Sequence, residues 1–175
     1  MSEKSNKLPI ECCTIDHTIV IRVEGRATFK HAAPLKDYFD RLLQRDEPCE
    51  VIIDLNRCDT LDSTFLGILA GMSTSMKKKG WSRICLVNMN STIQRLVKII
   101  GLDRVVSTYP PLDLPEGEQV EYVQLDAGDK SMDRKQQILF MLDAHKQLLP
   151  LDEGNELRFK NLMACLNESL EQDEK

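Results

Sequence analysis

The segment Val51-Ile-Ile-Asp-Leu-Asn-Arg-Cys-Asp-Thr-Leu-Asp-Ser-Thr-Phe-Leu-Gly67 joins a short apolar run to a helix through polar residues. The apolar run, residues 51–55, predicts a β-strand, and the residues after Ser63 repeat at helical spacing. The apolar members of that repeat are Phe65, Leu66, Ile68, Leu69 and Met72. The Ser63 hydroxyl is therefore predicted at a helix N-terminus, where unpaired backbone N–H groups and the positive end of the helix dipole tolerate a phosphate.

The residues on either side of this segment predict alternating strands and helices. Upstream, two β-branched runs meet at Asp16-His17 and predict a hairpin, which a helix with one apolar face follows. Downstream, the pattern predicts a helix that ends before Gly80, then a strand, a helix and a short edge strand. Besides the strand at 51–55, the predicted elements are strands Ile10–Ile15, Thr18–Val23, Arg83–Val87 and Val105–Ser107, and helices Leu35–Leu43, Ser63–Lys79 and Thr92–Ile100. This alternation is typical of an α/β fold.

The chain changes character after Tyr109. Residues 113–129 are acidic, contain proline and glycine, and predict a linker with one strand-like piece at Val120–Leu125. Two amphipathic helices are predicted after it, at Lys130–Leu149 and Asn155–Glu171. The predicted organisation is a domain at 1–112, a linker at 113–129 and a helical hairpin at 130–175.

Each helix of the predicted hairpin carries one apolar stripe. The stripes comprise Ile138, Met141, Leu142, His145 and Leu149 in the first helix, and Phe159, Leu162, Met163, Leu166 and Leu170 in the second. An isolated pair of helices is marginally stable, so these stripes must pack against another apolar surface. We expect them to pack on each other and on the preceding domain. The alternative is a surface that docks a partner or pairs two subunits into a homodimer.

The amino-acid composition and the net charge argue against several classes of protein. The 175 residues are 42% hydrophobic, which is enough for a core, and they carry a net charge of −5 with acids and bases interspersed. This charge argues against non-specific nucleic-acid binding and against adhesion to an anionic membrane. No apolar run approaches the roughly 20 residues that span a bilayer, and the N-terminus lacks the apolar core of a signal peptide. We therefore expect a cytoplasmic protein without direct membrane insertion.

The six cysteines and three histidines are not spaced as metal ligands. Cys12 and Cys13 are adjacent, and the other cysteines are scattered without a Cys-x-x-Cys pair. His17, His31 and His145 are equally isolated, and no nucleophile lies near them in the sequence. We therefore expect no metal site, no cofactor and no catalytic histidine.

Residues 62–67, Asp-Ser-Thr-Phe-Leu-Gly, follow the strand Ile52–Leu55 and resemble the Asp-Ser-(Ser/Thr)-Gly-Leu-Gly signature of the STAS family, the anti-sigma factor antagonists. The resemblance extends from about residue 9 to residue 109 and includes a Gly25-containing turn after the second strand. It implies a STAS-like mixed β-sheet covered by helices. The sequence departs from the signature at Phe65, where the family usually has glycine, and this departure concerns the shape of the first helical turn and of the partner-facing surface, while the acceptor hydroxyl stays in place.

The resemblance also implies a phosphorylation-controlled binding module, which takes part in signal transduction by partner switching and is not an enzyme. The unphosphorylated protein would bind an anti-sigma factor that contains a serine-kinase domain, and the sigma factor would be released for transcription. The kinase would reverse this by phosphorylating Ser63, and a serine phosphatase would reset the switch. A phosphoserine adds about −1.5 to −2 charges, which are costly to desolvate in a close interface.

The resemblance assigns partner contact to four consecutive residues, Asp62, Ser63, Thr64 and Phe65. From the residues alone, Ser63 is first of all an N-cap that contributes about 1 kcal/mol, and such a hydroxyl can still be modified. Thr64 is the alternative acceptor, and Asp62 is expected to cap the loop and orient the partner. Asp54, at the end of the predicted strand, is expected to tie down loop N–H groups.

Two other functions remain open on the sequence. A STAS-like domain can serve as the soluble arm of a transport system, which would require a separate membrane subunit. A small-ligand or nucleotide sensor is the other alternative, although the chain has no Gly-x-x-x-x-Gly-Lys-(Ser/Thr) phosphate loop. Co-purification with a membrane protein would support the first alternative, and direct titration with nucleotides tests the second.

Overall fold

The computed structural model describes residues 10–115, 120–125 and 131–172. The elements in these ranges are β1 (Ile10–Ile15), β2 (Thr18–Ala27), α1 (Phe29–Leu43), β3 (Glu50–Leu61), α2 (Ser63–Lys78), β4 (Cys85–Val87), α3 (Ser91–Ile100), β5 (Ser107–Thr108), β6 (Val123–Gln124), α4 (Arg134–Leu148) and α5 (Asn155–Gln172). The six strands form one sheet in the order β5-β4-β3-β2-β1-β6. Short 3-10 helices follow α3 and α4.

The sheet is mixed, as expected. β1 and β2 are antiparallel and meet at the Asp16-His17 turn, where Ile15 pairs with Thr18 and Asp16 has a φ of 54°. The central pairs β2–β3, β3–β4 and β4–β5 are parallel, whereas β6 is antiparallel to β1. The α/β fold predicted from the sequence is therefore confirmed.

β3 continues to Leu61, although the sequence predicted that this strand would end at Leu55 before a polar loop. The extension stays paired with β2 through two register shifts, and its last pair joins Ala27 to Leu61. Gly25 lies within this irregular part of β2 with a φ of 66°, so the predicted Gly25 turn is wrong. Bulges in both stretches bend the strands while they keep the ladder, and the period of two that marks a regular strand is lost.

The other element boundaries differ from the predicted ones by smaller amounts, except at α1. α1 begins at Phe29, six residues before the predicted start at Leu35, after the N-cap residue Thr28, and the Phe29 N–H is also bonded to the distant Asp62. The helix of Ser63 ends before Gly80, and α3 follows its predicted Asn90 cap. The short edge strand lies two residues later than predicted, at β5. Its neighbour β4 is shorter than predicted.

The hairpin α4–α5 packs on the sheet domain, as we expected. Four of its side chains, Ala144, Leu148, Leu151 and Phe159, belong to the same buried cluster as the sheet. A smaller cluster of Ile138, Leu142 and Leu166 lies within the hairpin itself. Leu162, which the sequence placed on the covered stripe of α5, is exposed.

Two polar contacts fasten the turn of the hairpin to the end of α3. Buried Asn155 donates from Nδ2 to the carbonyl oxygens of Ile100, at 2.9 Å, and Leu148, at 2.6 Å. Arg104, just after α3, donates to the carbonyl oxygen of Leu151. Within the predicted linker, β6 joins the sheet beside β1. The turn of the hairpin is therefore attached to the end of α3, in addition to the side chains that the hairpin shares with the buried cluster.

Candidate functional site

Asp62 brings the N-termini of α1 and α2 together. Its Oδ2 accepts a hydrogen bond from the backbone N–H of Phe29 at 2.7 Å, and its Oδ1 accepts one from Phe65 at 2.8 Å. The backbone of Asp62 is held as well, because its N–H donates to the carbonyl oxygen of Ala27 at 2.9 Å. One carboxylate thus caps two helices, and two positive helix ends converge at this point of the sheet.

Ser63 is the first residue of α2, so its hydroxyl is not the N-cap that the sequence alone suggested. Asp62 fills that role, and Ser63 Oγ lies 2.8 Å from Nε2 of His145 on α4. The serine is partly buried. The hydroxyl therefore stands at a helix N-terminus without being used to cap it.

His145 is the site residue that the sequence did not reveal. Its ring is 1% exposed, and its Nδ1 lies 2.7 Å from the carbonyl oxygen of Met141. A carbonyl oxygen can only accept, so Nδ1 carries the proton, and in the neutral ring Nε2 accepts the hydrogen bond from Ser63. Phe159 contacts the ring edge-on, with the two ring centroids 5.1 Å apart. The residues Ser63 and His145 are 82 positions apart in the chain, so no local pattern could pair them.

The other two residues of the predicted contact set point inward. Thr64 is 4% exposed and Phe65 is 0% exposed, with the Phe65 ring in the main core. A fully buried ring presents no surface of its own, and the assignment of partner contact to Phe65 stays a prediction. Thr64 is a poorly accessible alternative acceptor for the same reason. Asp62 and Ser63 are the members of the set that reach the surface.

His31 lies at the same end of the sheet, on the first turn of α1. Its Nδ1 accepts a hydrogen bond from the backbone N–H of Thr28 at 3.1 Å. Burial lowers the pKa of His31, and the nearby Asp62 carboxylate opposes this by favouring the charged ring. The sequence offered no sign of this role, because the common capping box has Glu or Gln three residues after the Ser or Thr cap, whereas His31 holds that place after Thr28.

Asp54 has the structural role that the sequence predicted. Its Oδ1 accepts from the backbone N–H of Asn56 at 3.1 Å and from the side-chain amide of Asn88 at 2.9 Å. Its Oδ2 lies 3.3 Å from Nε of Arg22, and both side chains are buried. Arg22 also stacks over the ring of Tyr122, and burial is the main cause that raises the pKa of Tyr122 to about 12. This cluster joins strands and does not include Ser63.

The cysteines are free thiols, and no group of three or more potential ligands comes together as a metal site in the parts of the chain that the structure describes. Burial raises the pKa of the Cys12, Cys49, Cys58 and Cys85 thiols, which keeps them protonated. Among the helices that are described, none is both long and apolar enough to cross a membrane.

A groove of about 180 Å³ runs between α1, α2 and α4. Its lining includes Lys36 and Asp40 of α1, Gly71 of α2, and Asp143 and Gln147 of α4. Ser63 and His145 are not part of this lining. The groove marks the junction of α4 with the domain and offers no cavity at the serine.

Comparisons with known proteins agree with this architecture. A structure from Mycobacterium paratuberculosis, described as an anti-sigma factor antagonist, is 25% identical and covers 59% of this chain and 86% of its own, with a TM-score of 0.51. The phosphorylated form of the Bacillus cell fate determinant SpoIIAA is 16% identical, with 59% and 92% covered and a TM-score of 0.51. A Thermotoga maritima protein is 22% identical, with 57% and 85% covered and a TM-score of 0.51.

The sequence match to a family model covers residues 10–114, which contain strands β1 to β5 of the sheet and helices α1, α2 and α3. The hairpin α4–α5 lies after the matched residues. The model is that of the STAS domain, and it covers more than half of the chain. The chain therefore belongs to the STAS domain family.

Proposed function

We propose that this chain is an anti-sigma factor antagonist, a protein-binding module whose partner affinity is switched by phosphorylation of Ser63. In its unphosphorylated form it binds an anti-sigma factor with serine-kinase activity, and so regulates transcription in the cytoplasm. One observation carries the proposal. The Ser63 hydroxyl stands on the first turn of α2 beside two converging helix N-termini, and Asp62 leaves it free from capping.

The names of the structural neighbours indicate which class of partner we propose for this chain. The Mycobacterium structure is described as an anti-sigma factor antagonist, and SpoIIAA has structures in phosphorylated and unphosphorylated forms. We transfer the modification to Ser63 because this residue follows the β3 strand and opens α2. A kinase of the anti-sigma type and a serine phosphatase are the proposed partners.

The chemistry of the switch is a phosphoryl transfer. The γ-phosphorus of ATP forms a bond to Ser63 Oγ and loses its bond to the oxygen that leaves with ADP, and the hydroxyl proton passes to a base of the kinase. The product carries about −1.5 to −2 charges, and the helix N-terminus tolerates them. The Asp62 carboxylate is adjacent, so the modified surface becomes strongly anionic. A partner that fits the neutral serine closely then loses affinity.

Affinity capture with the full chain, followed by ATP addition to the captured complex, tests the proposal. We expect an ATP-binding kinase among the captured proteins and phosphate on Ser63 when the modified peptide is mapped by mass spectrometry. Ser63→Ala is expected to abolish the modification, and Thr64→Ala to retain it, because Thr64 is buried. Phosphate at a distant serine such as Ser91, with none at residues 63 and 64, contradicts the assignment.

The hydrogen bond between Ser63 and His145 favours one other function, nucleophilic hydrolysis, because a serine beside a histidine is the arrangement of a nucleophile with its base. The ring of His145 is buried against Phe159, and the groove beside α4 does not reach the pair. These features favour the binding module. Hydrolysis of p-nitrophenyl acetate that disappears in both Ser63→Ala and His145→Ala would support a hydrolase instead.

A further inference from the structure

The face of α2 that carries Ser63 is already occupied by another helix of the same chain. Ser63, Gly67 and Gly71 are spaced four residues apart and share one face of α2. A Cβ added to Gly67 would lie 2.6 Å from the carbonyl carbon of Ala144 and closer still to its oxygen. The backbone of α4 therefore rests directly on the backbone of α2, one turn beyond the serine.

The docked helix also holds the Ser63 hydroxyl. His145 is adjacent to Ala144, and its Nε2 lies 2.8 Å from Ser63 Oγ; in the neutral ring Nε2 accepts the hydrogen bond of the hydroxyl, since Nδ1 donates to the carbonyl oxygen of Met141. The hydroxyl proton has to leave when a phosphate is attached. Ser63 Oγ, which would attack the γ-phosphorus, is thus hydrogen-bonded to a residue of α4. The next turn of α2, at Gly67, is covered by the backbone of α4.

We propose that the hairpin α4–α5 is an intramolecular cover of the Ser63 face of α2, which must be released before a kinase or a binding partner can reach Ser63. This inference rests on the proposed function, because it concerns access to the same serine. A kinase has to enclose the residues around its acceptor, and α4 occupies one side of that space. The partner competes with a segment of the chain itself.

The cover has a quantitative consequence for binding. When the competent state is a small fraction of the population, the apparent dissociation constant increases by the inverse of that fraction. The coupling is reciprocal, so a partner bound at Ser63 must also weaken the docking of α4 by the same factor. The 2.8 Å contact leaves no room for a phosphate between Ser63 Oγ and the ring of His145. Phosphorylation would therefore keep the hairpin released.

The two glycines of α2 provide a matched pair of variants. Gly67→Ala introduces a methyl group that overlaps the backbone of Ala144, and a helix backbone cannot move aside without moving the whole of α4. Gly71→Ala introduces the same group one turn later, where it meets the flexible side chain of Gln147 with its Cγ at 3.2 Å. Both changes raise the helix propensity of α2 equally. They differ in whether α4 can stay docked.

The experiment measures access to position 63 in the full chain. Ser63→Cys is combined with each glycine variant, and the rate at which fluorescein maleimide labels the introduced thiol is followed by peptide mass spectrometry. Cys165, which is exposed on α5, serves as the internal reference. We expect Gly67→Ala to raise the relative labelling rate at position 63 at least about tenfold over Gly71→Ala, which corresponds to about 1.4 kcal/mol in the cost of opening. Ala144→Glu, which disturbs the interface from the side of α4, is expected to act like Gly67→Ala.

Hydrogen exchange of the β2 and β3 amides checks that the sheet stays folded in each variant. Equal labelling of the introduced thiol in the two glycine variants and in Ala144→Glu, with an intact sheet, overturns the cover and leaves the proposed function standing. The same variants with Ser63 retained are then given to the captured kinase and ATP. Faster phosphorylation of Ser63 in Gly67→Ala than in Gly71→Ala supports the cover, and equal rates overturn it. If position 63 is labelled readily in these variants and Ser63 is still never phosphorylated, the proposed function is contradicted and the cover is not.

Discussion

The sheet domain and the α4–α5 hairpin differ in what stabilises them. The sheet domain buries a large core of its own, which includes Phe39, Ile53, Phe65 and Leu66. The hairpin has a small core of three residues and contributes its other buried side chains to the core of the domain. A helix pair with so little core depends on the surface that it covers. The match to the family model covers the domain and ends at residue 114, before the hairpin.

This difference explains how a segment can be ordered and still be released. Its attachments to the domain lie at two places: α4 lies on α2 at Gly67, and the turn before α5 is tied to the end of α3 through Asn155. A supersecondary unit attached at the edge of a fold can open locally at a lower free energy than the global unfolding of the domain. The hairpin is thus suited to compete with a partner, whereas α2 stays fixed in the core.

Removal of the hairpin should produce the largest effect on stability. A chain that stops at Gly128 exposes the face of α2 and loses Leu148, Leu151 and Phe159 from the core. We expect a loss of roughly 3–5 kcal/mol, similar to the truncation of one or two large core side chains. Calorimetry should show a melting temperature lower by roughly 10 °C, since 1 kcal/mol corresponds to about 2–4 °C at this size. An unchanged melting temperature would mean that the hairpin does not pack on the domain.

Asp62→Ala should weaken the sheet domain and leave the hairpin contacts in place. Two helix caps are lost together, and at about 1 kcal/mol for each cap the expected loss is about 2 kcal/mol. Asp62→Asn is the matched control, because its single carbonyl oxygen can serve one of the two N–H groups and should cost about half as much. Urea denaturation measures both. Equal stability of Asp62→Ala and wild type would refute the double cap.

Asn155→Ala should weaken the attachment of the hairpin to α3. The change leaves the carbonyl oxygens of Ile100 and Leu148 without their donor in a buried place, and this should cost about 1–2 kcal/mol. Asn161→Ala, at an exposed position of the same helix, is the control and should change stability by less than about 0.5 kcal/mol. Relative to wild type, the variant should exchange its amide hydrogens faster in α5, with a smaller change in β3. Uniform acceleration in both would argue against a separable hairpin.

The smallest expected effect is a pH dependence from His31 at the capped end of α1. Burial lowers the pKa of His31 from 6.5, so the unfolded chain binds a proton more readily than the folded one. Stability from this group is complete above about pH 6.5 and is lost as the pH falls through the lowered pKa. His31→Gln should lose less stability than wild type between pH 7 and 5. An NMR titration of His31 with a midpoint above 6.5 would contradict this.

Sequence patterns identified most elements because each depends on neighbouring residues. The α2 start was visible as Asp62-Ser63 before an apolar helical repeat, and α3 as an Asn90 cap with Gly101 at its end. The extension of β3 to Leu61 was missed, because bulged pairing with β2 removes the alternation that marks a strand. The start of α1 was missed because its Thr28 cap pairs with His31 and not with Glu or Gln, and because the Phe29 N–H is bonded to the distant Asp62.

The sequence by itself determined the STAS fold, the place of Ser63 at the start of α2, and the presence of an amphipathic pair of helices after the domain. The STAS fold follows from the resemblance of residues 62–67 and the elements around them to the family, and the other two properties follow from periodicity, caps and turn residues, which act over a few positions. Only the tertiary structure decided that one carboxylate caps two helices, that Phe65 points inward, and that His145 meets Ser63 across 82 positions. Such contacts depend on how distant elements pack, since a hydrogen bond forms between whichever groups the packing brings within about 3 Å.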